Sequence, residues 1–354
     1  MITLISIVSF LVVIVVLILT HELGHFVTAK AAGVRVDEFG LGFPPRLLSV
    51  KRGETLYSLN AIPLGGFVKM AGEEDPKVPK SLASKSISTR LLVLSAGPLM
   101  NFLLPFFLFS IACMIPHTLV MGQVMVEEVA PDSPAARADI RPGDTILSVN
   151  EKPVSNNGDL HRYIHLNLGK KLTLLVQHSD ATKENVQVIP RWKPPEGQGA
   201  VGITIITSDA TIISQHYPFW KAIPLGVSAC IETFILFKNG IINMIIGTAP
   251  VAVAGPVGIA QLTGEVAKAG ISSLLEFAAF LSINLAIINI FPLPALDGGR
   301  IAFVLLEGVR RGKRIAPKAE GLVHLIGFAM IMAFFLAITY QDIIRIVSGE
   351  SLMP

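Results

Sequence analysis

Long apolar runs, separated by one stretch of two-residue alternation, set the plan of this chain. Thr3 to Ala29, Arg90 to Ile115, Leu274 to Phe291 and Leu322 to Ile344 read as membrane-crossing helices, which need about 20 apolar residues each. Phe219 to Ile246 is apolar as well, but Lys221, Pro224, Glu232, Lys238 and Asn243 punctuate it. Polar residues at that density suit an amphipathic helix lying in the interface, so residues 209–272 are expected to be interfacial helices outside the cytoplasm. Residues 33–70 are neither a span nor an ordinary loop. Phe39-Gly40-Leu41-Gly42-Phe43 and Leu64-Gly65-Gly66-Phe67-Val68 are glycine-punctuated apolar stretches that suit a membrane-associated, re-entrant β-hairpin. Irregular backbone at membrane depth persists only where protein or a water-filled cavity satisfies it. An edge strand holding Gly65, Gly66 and Phe67 could pair there with an extended peptide.

Residues 119–208 change character. Val124 to Val129 reads as a strand, Ser133 to Ala138 as a short helix, and Arg141-Pro142-Gly143-Asp144 as a turn. Thr145 to Val149 is an alternating strand, Asp159 to Leu168 a helix, and Leu172 to His178 another strand. With its Ala-Pro-Asp-Ser-Pro-Ala-Ala and Pro-Gly-Asp-Thr-Ile-Leu-Ser-Val-Asn runs, this order resembles a bacterial PDZ domain. Such domains bind a peptide or a protein carboxyl terminus by adding a strand beside a helix. The expected architecture is therefore a polytopic α-helical membrane protein of four spans with a β region, in two halves (1–118 and 273–354), plus one α+β PDZ-like domain.

Composition agrees, since 51% of the 354 residues are hydrophobic and only 16% are charged. The net charge of +3 is too small to argue for a nucleic-acid partner. Lys and Arg concentrate between residues 30 and 90 and between 300 and 318, so the positive-inside rule puts both loops in the cytoplasm. Both termini and the PDZ-like domain then lie outside, as in a multi-pass protein of a bacterial inner membrane. Cys113 and Cys230 lie in apolar stretches without metal-ligand spacing, so no disulfide framework is expected. The first run has no basic residue before it and no small-residue cleavage site, so it reads as a retained span.

Chemistry enters with His21-Glu22-Leu23-Gly24-His25, inside the first apolar run. Residues four apart share a helix face, so His21 and His25 can offer two imidazoles to one zinc ion. Glu22 is then placed to take a proton from a water at that site. An ionisable residue at bilayer depth costs roughly 2.5–3.5 kcal/mol on insertion scales unless it is compensated, so a functional use is the economical reading. His161 and His165 repeat the spacing, but Arg162 stands where the glutamate should be, and that pair reads as a solvated helix face. Two histidines leave a catalytic zinc one protein ligand short. The best third ligand is Asp297, in the run from Asn289 to Gly299, where Pro292 and Pro294 must break the third span and can turn the carboxylate inward. Asn289 offers an amide that could orient a substrate or stabilise an oxyanion. His25 and Asp297 meet at one depth only if the first and third spans run the same way, which requires Phe219 to Ile246 not to cross once.

These motifs, with Ser95-Ala96-Gly97-Pro98-Leu99-Met100-Asn101 and Gly255-Pro256-Val257-Gly258-Ile259-Ala260, resemble the site-2 protease family of intramembrane zinc metalloproteases over nearly the whole chain. The bacterial regulator-of-sigma-factor protease is the nearest type. The resemblance implies Zn2+ on His21, His25 and Asp297, with Glu22 as the base. It also implies packing of Gly97 and Asn101 near the site and substrate contact by Asn289. The implied substrates are transmembrane segments of single-span proteins, either anti-sigma factors already cut outside or signal-peptide remnants. The best-known pattern of that type carries two PDZ domains, and this chain has room for one. Two rivals are weighed. A non-catalytic PDZ scaffold with a structural metal would need a fourth ligand, and His324 is the available candidate. A metal transporter should show more intramembrane carboxylates and internal repeats.

Overall fold

The computed structural model describes residues 4–73, 75–248 and 254–348. Residue 3 of the first expected span, residues 249–253 of the expected interfacial segment and the tail from 349 lie outside that range. The chain forms two compact units, one from residues 1–112 and 253–354 and one from residues 113–252.

In the first unit, α1 (Leu4–Ala31) buries Ser6, Phe10, Val13, Leu17, His21, Gly24, His25 and Ala29. Apart from the adjacent Gly24 and His25, these positions step by three or four, so one stripe faces protein. Leu4, Ile5, Val8, Val12, Val16, Leu23 and Val27 lie on the exposed remainder. Where α1 meets α2 (Ile87–Met114), a β-carbon on Gly24 would run into the Ala96 carbonyl. Small residues let helices approach closely in a membrane, where apolar burial does not itself drive association.

Strands β1 (Val36–Arg52) and β2 (Thr55–Met70) confirm the hairpin over 33–70, in a more folded form than a simple pair. Glu38 to Leu41 have partners on both sides. Phe39 opposes Val68 on one side and Tyr57 on the other. Partner numbers run in opposite directions towards 66–69 and rise together towards 56–59. Each long strand therefore turns back midway, and two chain passes make four short segments in the order 66–69, 36–41, 55–60, 46–52.

The second unit holds β3 (His117–Val129), α3 (Pro134–Arg137), β4 (Thr145–Val149), β5 (Lys152–Pro153), α4 (Asn157–Leu166), β6 (Leu172–Gln177), β7 (Lys183–Val188), β8 (Ile203–Gln215) and α5 (Phe219–Ile245). The sheet order is β7-β6-β4-β3-β8, with β5 on β4. Leu172, Leu174 and Val176 alternate inward onto Val124, Ile146 and Leu160. The expected elements all form, but β3 and β8 run past 119 and 208, because they pair along their length as far as His117 opposite Gln215. At the Arg141–Asp144 turn, the buried Asp144 carboxylate accepts from the Arg141 backbone N–H at 2.8 Å and bonds His178 Nδ1 at 2.9 Å.

Back in the first unit, α6 (Pro256–Ala269), α7 (Ile271–Ile290), α8 (Asp297–Val309) and α9 (Pro317–Ser348) complete the chain. Among the described residues, α5 meets the same criteria of length and composition for crossing a membrane as the four expected spans α1, α2, α7 and α9. The Glu232 that argued for an interfacial α5 is taken up within its own unit, pairing with Lys152 at 2.7 Å and Arg162 at 3.5 Å. Of the pair expected on a solvated face, His161 is exposed but His165 is partly buried, with Asn239 of α5 donating to its carbonyl at 2.7 Å. Cys113 and Cys230 are not joined by a disulfide.

Candidate metal centre

Three residues from distant parts of the first unit meet beside α2. His21 Nε2 lies 2.9 Å from Asp297 Oδ2, His25 Nε2 lies 3.3 Å from the same oxygen, and the two imidazole nitrogens are 3.2 Å apart. Donors bonded to one tetrahedral ion at about 2.0–2.1 Å stand about 3.3 Å from each other. These three atoms are thus spaced as the ligands of a single zinc ion. Among the described residues, this is the one group of three or more His, Cys, Asp or Glu side chains so arranged.

The opposite edges of both rings fit that use. His25 Nδ1 donates to the Val93 carbonyl at 2.8 Å, which fixes the tautomer that leaves Nε2 free to bind metal. Asn101 Nδ2 lies 3.3 Å from His21 Nδ1, and Asn101 Oδ1 is buried without a partner. With Nε2 on a metal, Nδ1 carries a proton, and turning the carboxamide over puts this oxygen in place to accept it. Gly97 leaves the space: a β-carbon there would run into His25 Nε2 and stand 2.7 Å from His21 Nε2.

Asn101 is itself fixed from two sides. Pro105 lies inside α2 and has no N–H for the Asn101 carbonyl four residues back. Ser282 Oγ on α7 donates to that carbonyl instead, at 2.8 Å.

Asp297 owes its position to the break foreseen at Pro292 and Pro294. Helix α7 stops at Ile290, and α8 starts at Asp297 as a separate helix. A carboxylate in a first helical turn is favoured by the helix dipole. Gly298 and Gly299 let the carbonyls of Ile290, Phe291 and Leu293 fold over that turn, which any β-carbon would block. Ala295 is left-handed, at φ 73°, and its N–H donates to His324 Nδ1 at 2.9 Å. His324 therefore braces the loop before Asp297 and is outside the ligand group, so no fourth protein ligand comes from it.

Glu22 sits one residue from His21, and β2 packs against it: a β-carbon on Gly66 would stand 3.1 Å from Glu22 Cγ and 2.8 Å from Ile18 Cγ2. Among the described residues, Gly66, Phe67, Val68 and Lys69 pair on one side only, with 38–41, so a strand edge without a partner there runs beside Glu22. Gly65 adopts φ +124° against the Phe43 ring, a conformation that glycine alone takes readily. Asn289, the penultimate residue of α7, is partly buried and makes no hydrogen bond to the ligand group. Sequence reasoning did not find Val93, Ser282 or the bracing role of His324. A backbone carbonyl leaves no sequence signal, but Pro105 four residues after Asn101 advertises the orphan that Ser282 fills.

Comparisons with known proteins give the family. The chain matches Peptidase family M50 over residues 9–334 and belongs to that family. A Clostridium acetobutylicum protein, provisionally named a zinc metalloprotease, is 35% identical over 334 residues, covering 93% of this chain and 94% of its own. Zinc metalloprotease RasP of Geobacillus kaustophilus is 29% identical, covering 96% and 98%. Regulator of sigma-W protease RasP of Bacillus subtilis is 26% identical, covering 96% and 99%. A PDZ domain of a Listeria monocytogenes SdrC-like protein aligns with 24% identity and a TM-score of 0.21, covering 23% of this chain and 86% of that one. The chain is a membrane zinc metalloprotease.

Proposed function

We propose that this protease cuts peptide bonds within the transmembrane segments of single-span proteins, with His21, His25 and Asp297 holding its zinc. The observation that carries the reading is the 2.9–3.3 Å spacing of those three donor atoms, two of them on α1, a helix able to cross a membrane, and the third at the start of α8. When bound, zinc supplies Lewis acidity that polarises a peptide carbonyl and eases deprotonation of water. Glu22 takes the proton of the attacking water and returns it to the leaving amine. The edge at Gly65, Gly66 and Phe67 pairs with the unwound substrate and holds it extended beside Glu22, since only an extended backbone exposes its carbonyl. Gly97 and Asn101 shape the ligand pocket, Pro292 and Pro294 set the loop that presents Asp297, and Asn289 contacts substrate.

The α+β unit is a PDZ-like domain facing away from the cytoplasm, and it reads a new carboxyl terminus or turns away bulky ectodomains. The meeting of His21 with Asp297 supports α1 and α7 running the same way, with the site towards the cytoplasmic side of a bacterial plasma membrane. Substrates of the anti-sigma type, already trimmed outside, or signal-peptide remnants fit these requirements.

The test is cleavage of a single-span substrate by the purified full-length protein, wild type against Glu22→Gln, with zinc measured in both. We expect zinc in both and cleavage by wild type alone. Turnover by the variant would remove Glu22 as the base.

A further inference from the structure

Helix α8 buries a carboxylate and exposes aliphatic side chains. Its buried face carries Val304 and also Glu307, which is 8% exposed and bonds Arg90 of α2 at 2.6 Å and Arg314 at 3.0 Å. Its outer face carries Leu305 at 51%, Leu306 at 43% and Val309 at 81% exposure. In a helix facing water the carboxylate would lie outside and the aliphatic side chains inside. The inversion is stable where the outer medium is itself apolar.

Neighbouring elements say where that medium lies. At 13 residues α8 is about 20 Å long, too short for a hydrocarbon core of about 30 Å. It begins six residues after α7 ends and stops shortly before α9 begins, and both of those helices are long enough to span. Its carboxyl end is thus confined near one membrane surface. There the aliphatic stripe runs directly into Arg310, Arg311 and Lys313, all exposed. Aliphatic side chains beside a cluster of cations match acyl chains beneath anionic headgroups, and each such cation near an anionic surface favours binding.

We propose that α8 is an interfacial anchor, with Leu305, Leu306 and Val309 on lipid acyl chains and Arg310, Arg311 and Lys313 on anionic headgroups. Because α8 starts at Asp297, the anchor also fixes the depth of that carboxylate. This last consequence rests on Asp297 being a zinc ligand, whereas the lipid contact does not.

Spin labels on Leu305→Cys and Val309→Cys, in full-length protein carrying Cys113→Ser and Cys230→Ser, test the proposal without reference to activity. The protein is placed in vesicles of phosphatidylcholine alone or mixed with phosphatidylglycerol. Collision with oxygen and with a water-soluble nickel chelate is then measured. The expected result is both labels favouring oxygen, more strongly with phosphatidylglycerol. That lipid dependence should be lost when Arg310, Arg311 and Lys313 are changed to Gln. Labels favouring the nickel chelate would place the stripe in water and overturn the proposal. Spin–spin broadening between copies would show a second protein molecule covering the stripe and overturn it equally. Oxygen preference without any response to phosphatidylglycerol would refute the headgroup contact.

Discussion

The Ser282 hydroxyl donates to the Asn101 carbonyl at 2.8 Å, at the one point where Pro105 withholds the helical N–H. A proline in a membrane helix is tolerated when a neighbour satisfies the carbonyl it orphans, and here the neighbour sits beside the residue that touches His21. Ser282→Ala should leave a buried acceptor unpaired, costing about 1–3 kcal/mol, with a lower thermal midpoint and weaker zinc retention. Ser282→Thr keeps the hydroxyl and should restore both. An alanine variant that unfolds and holds zinc like wild type would deny the coupling.

Gly97 makes room for two imidazole nitrogens at once. Adding a methyl group would displace both rings from the spacing that one ion requires. Gly97→Ala should lower zinc affinity by about 10–100-fold, the range seen when a ligand's supporting contacts are disturbed, and cleavage should fall with it. Competition with a calibrated chelator measures the first effect. Unchanged affinity would mean that the ligands do not sit where the structure places them.

Glu307 holds two arginines. Burial alone would raise its carboxyl, but the Arg90 and Arg314 guanidiniums outweigh that effect and keep it below the usual carboxylate range. Glu307→Ala strands a buried Arg90, and removing one partner of such a pair costs about 3–5 kcal/mol. The thermal midpoint in detergent should drop sharply. Arg90→Met together with Glu307→Leu should recover most of the loss, and failure of the double variant to recover any would point to a role beyond pairing.

His178 carries a pH dependence in the other unit. Its hydrogen bond to Asp144 raises its pKa above the ordinary histidine value. A raised folded-state pKa adds stability that is full below about pH 6.5, the unfolded value, and fades as pH rises through the folded value. The unit should therefore unfold at lower temperature at pH 8 than at pH 6, and His178→Leu should shrink the difference. Equal pH dependence in wild type and variant would remove His178 as its source.

Much of the site was legible because it depends on local rules. His21 and His25 share a helix face by spacing alone, and Pro292 and Pro294 had to end α7 before Asp297. What could not be read depends on which helix lies beside which. Arg90 stands where one basic loop meets a span and Glu307 lies within the other basic stretch, and nothing local pairs them, although a lone glutamate in Phe-Val-Leu-Leu-Glu-Gly-Val hints at burial. His324, alone in the last span, gave no sign that it would hold the Ala295 N–H. The doubling back of β1 and β2 depends on bends that alternation does not encode. That Lys152 and Arg162 would pair with Glu232 of α5 was equally beyond any local rule.

His21 and Asp297 stand 276 positions apart in the chain and 2.9 Å apart in space, and that separation governs how the enzyme comes into being. On the proposed ligand set, a nascent chain carries two of the three zinc ligands for most of its translation, and the centre can close only once Asp297 has been made.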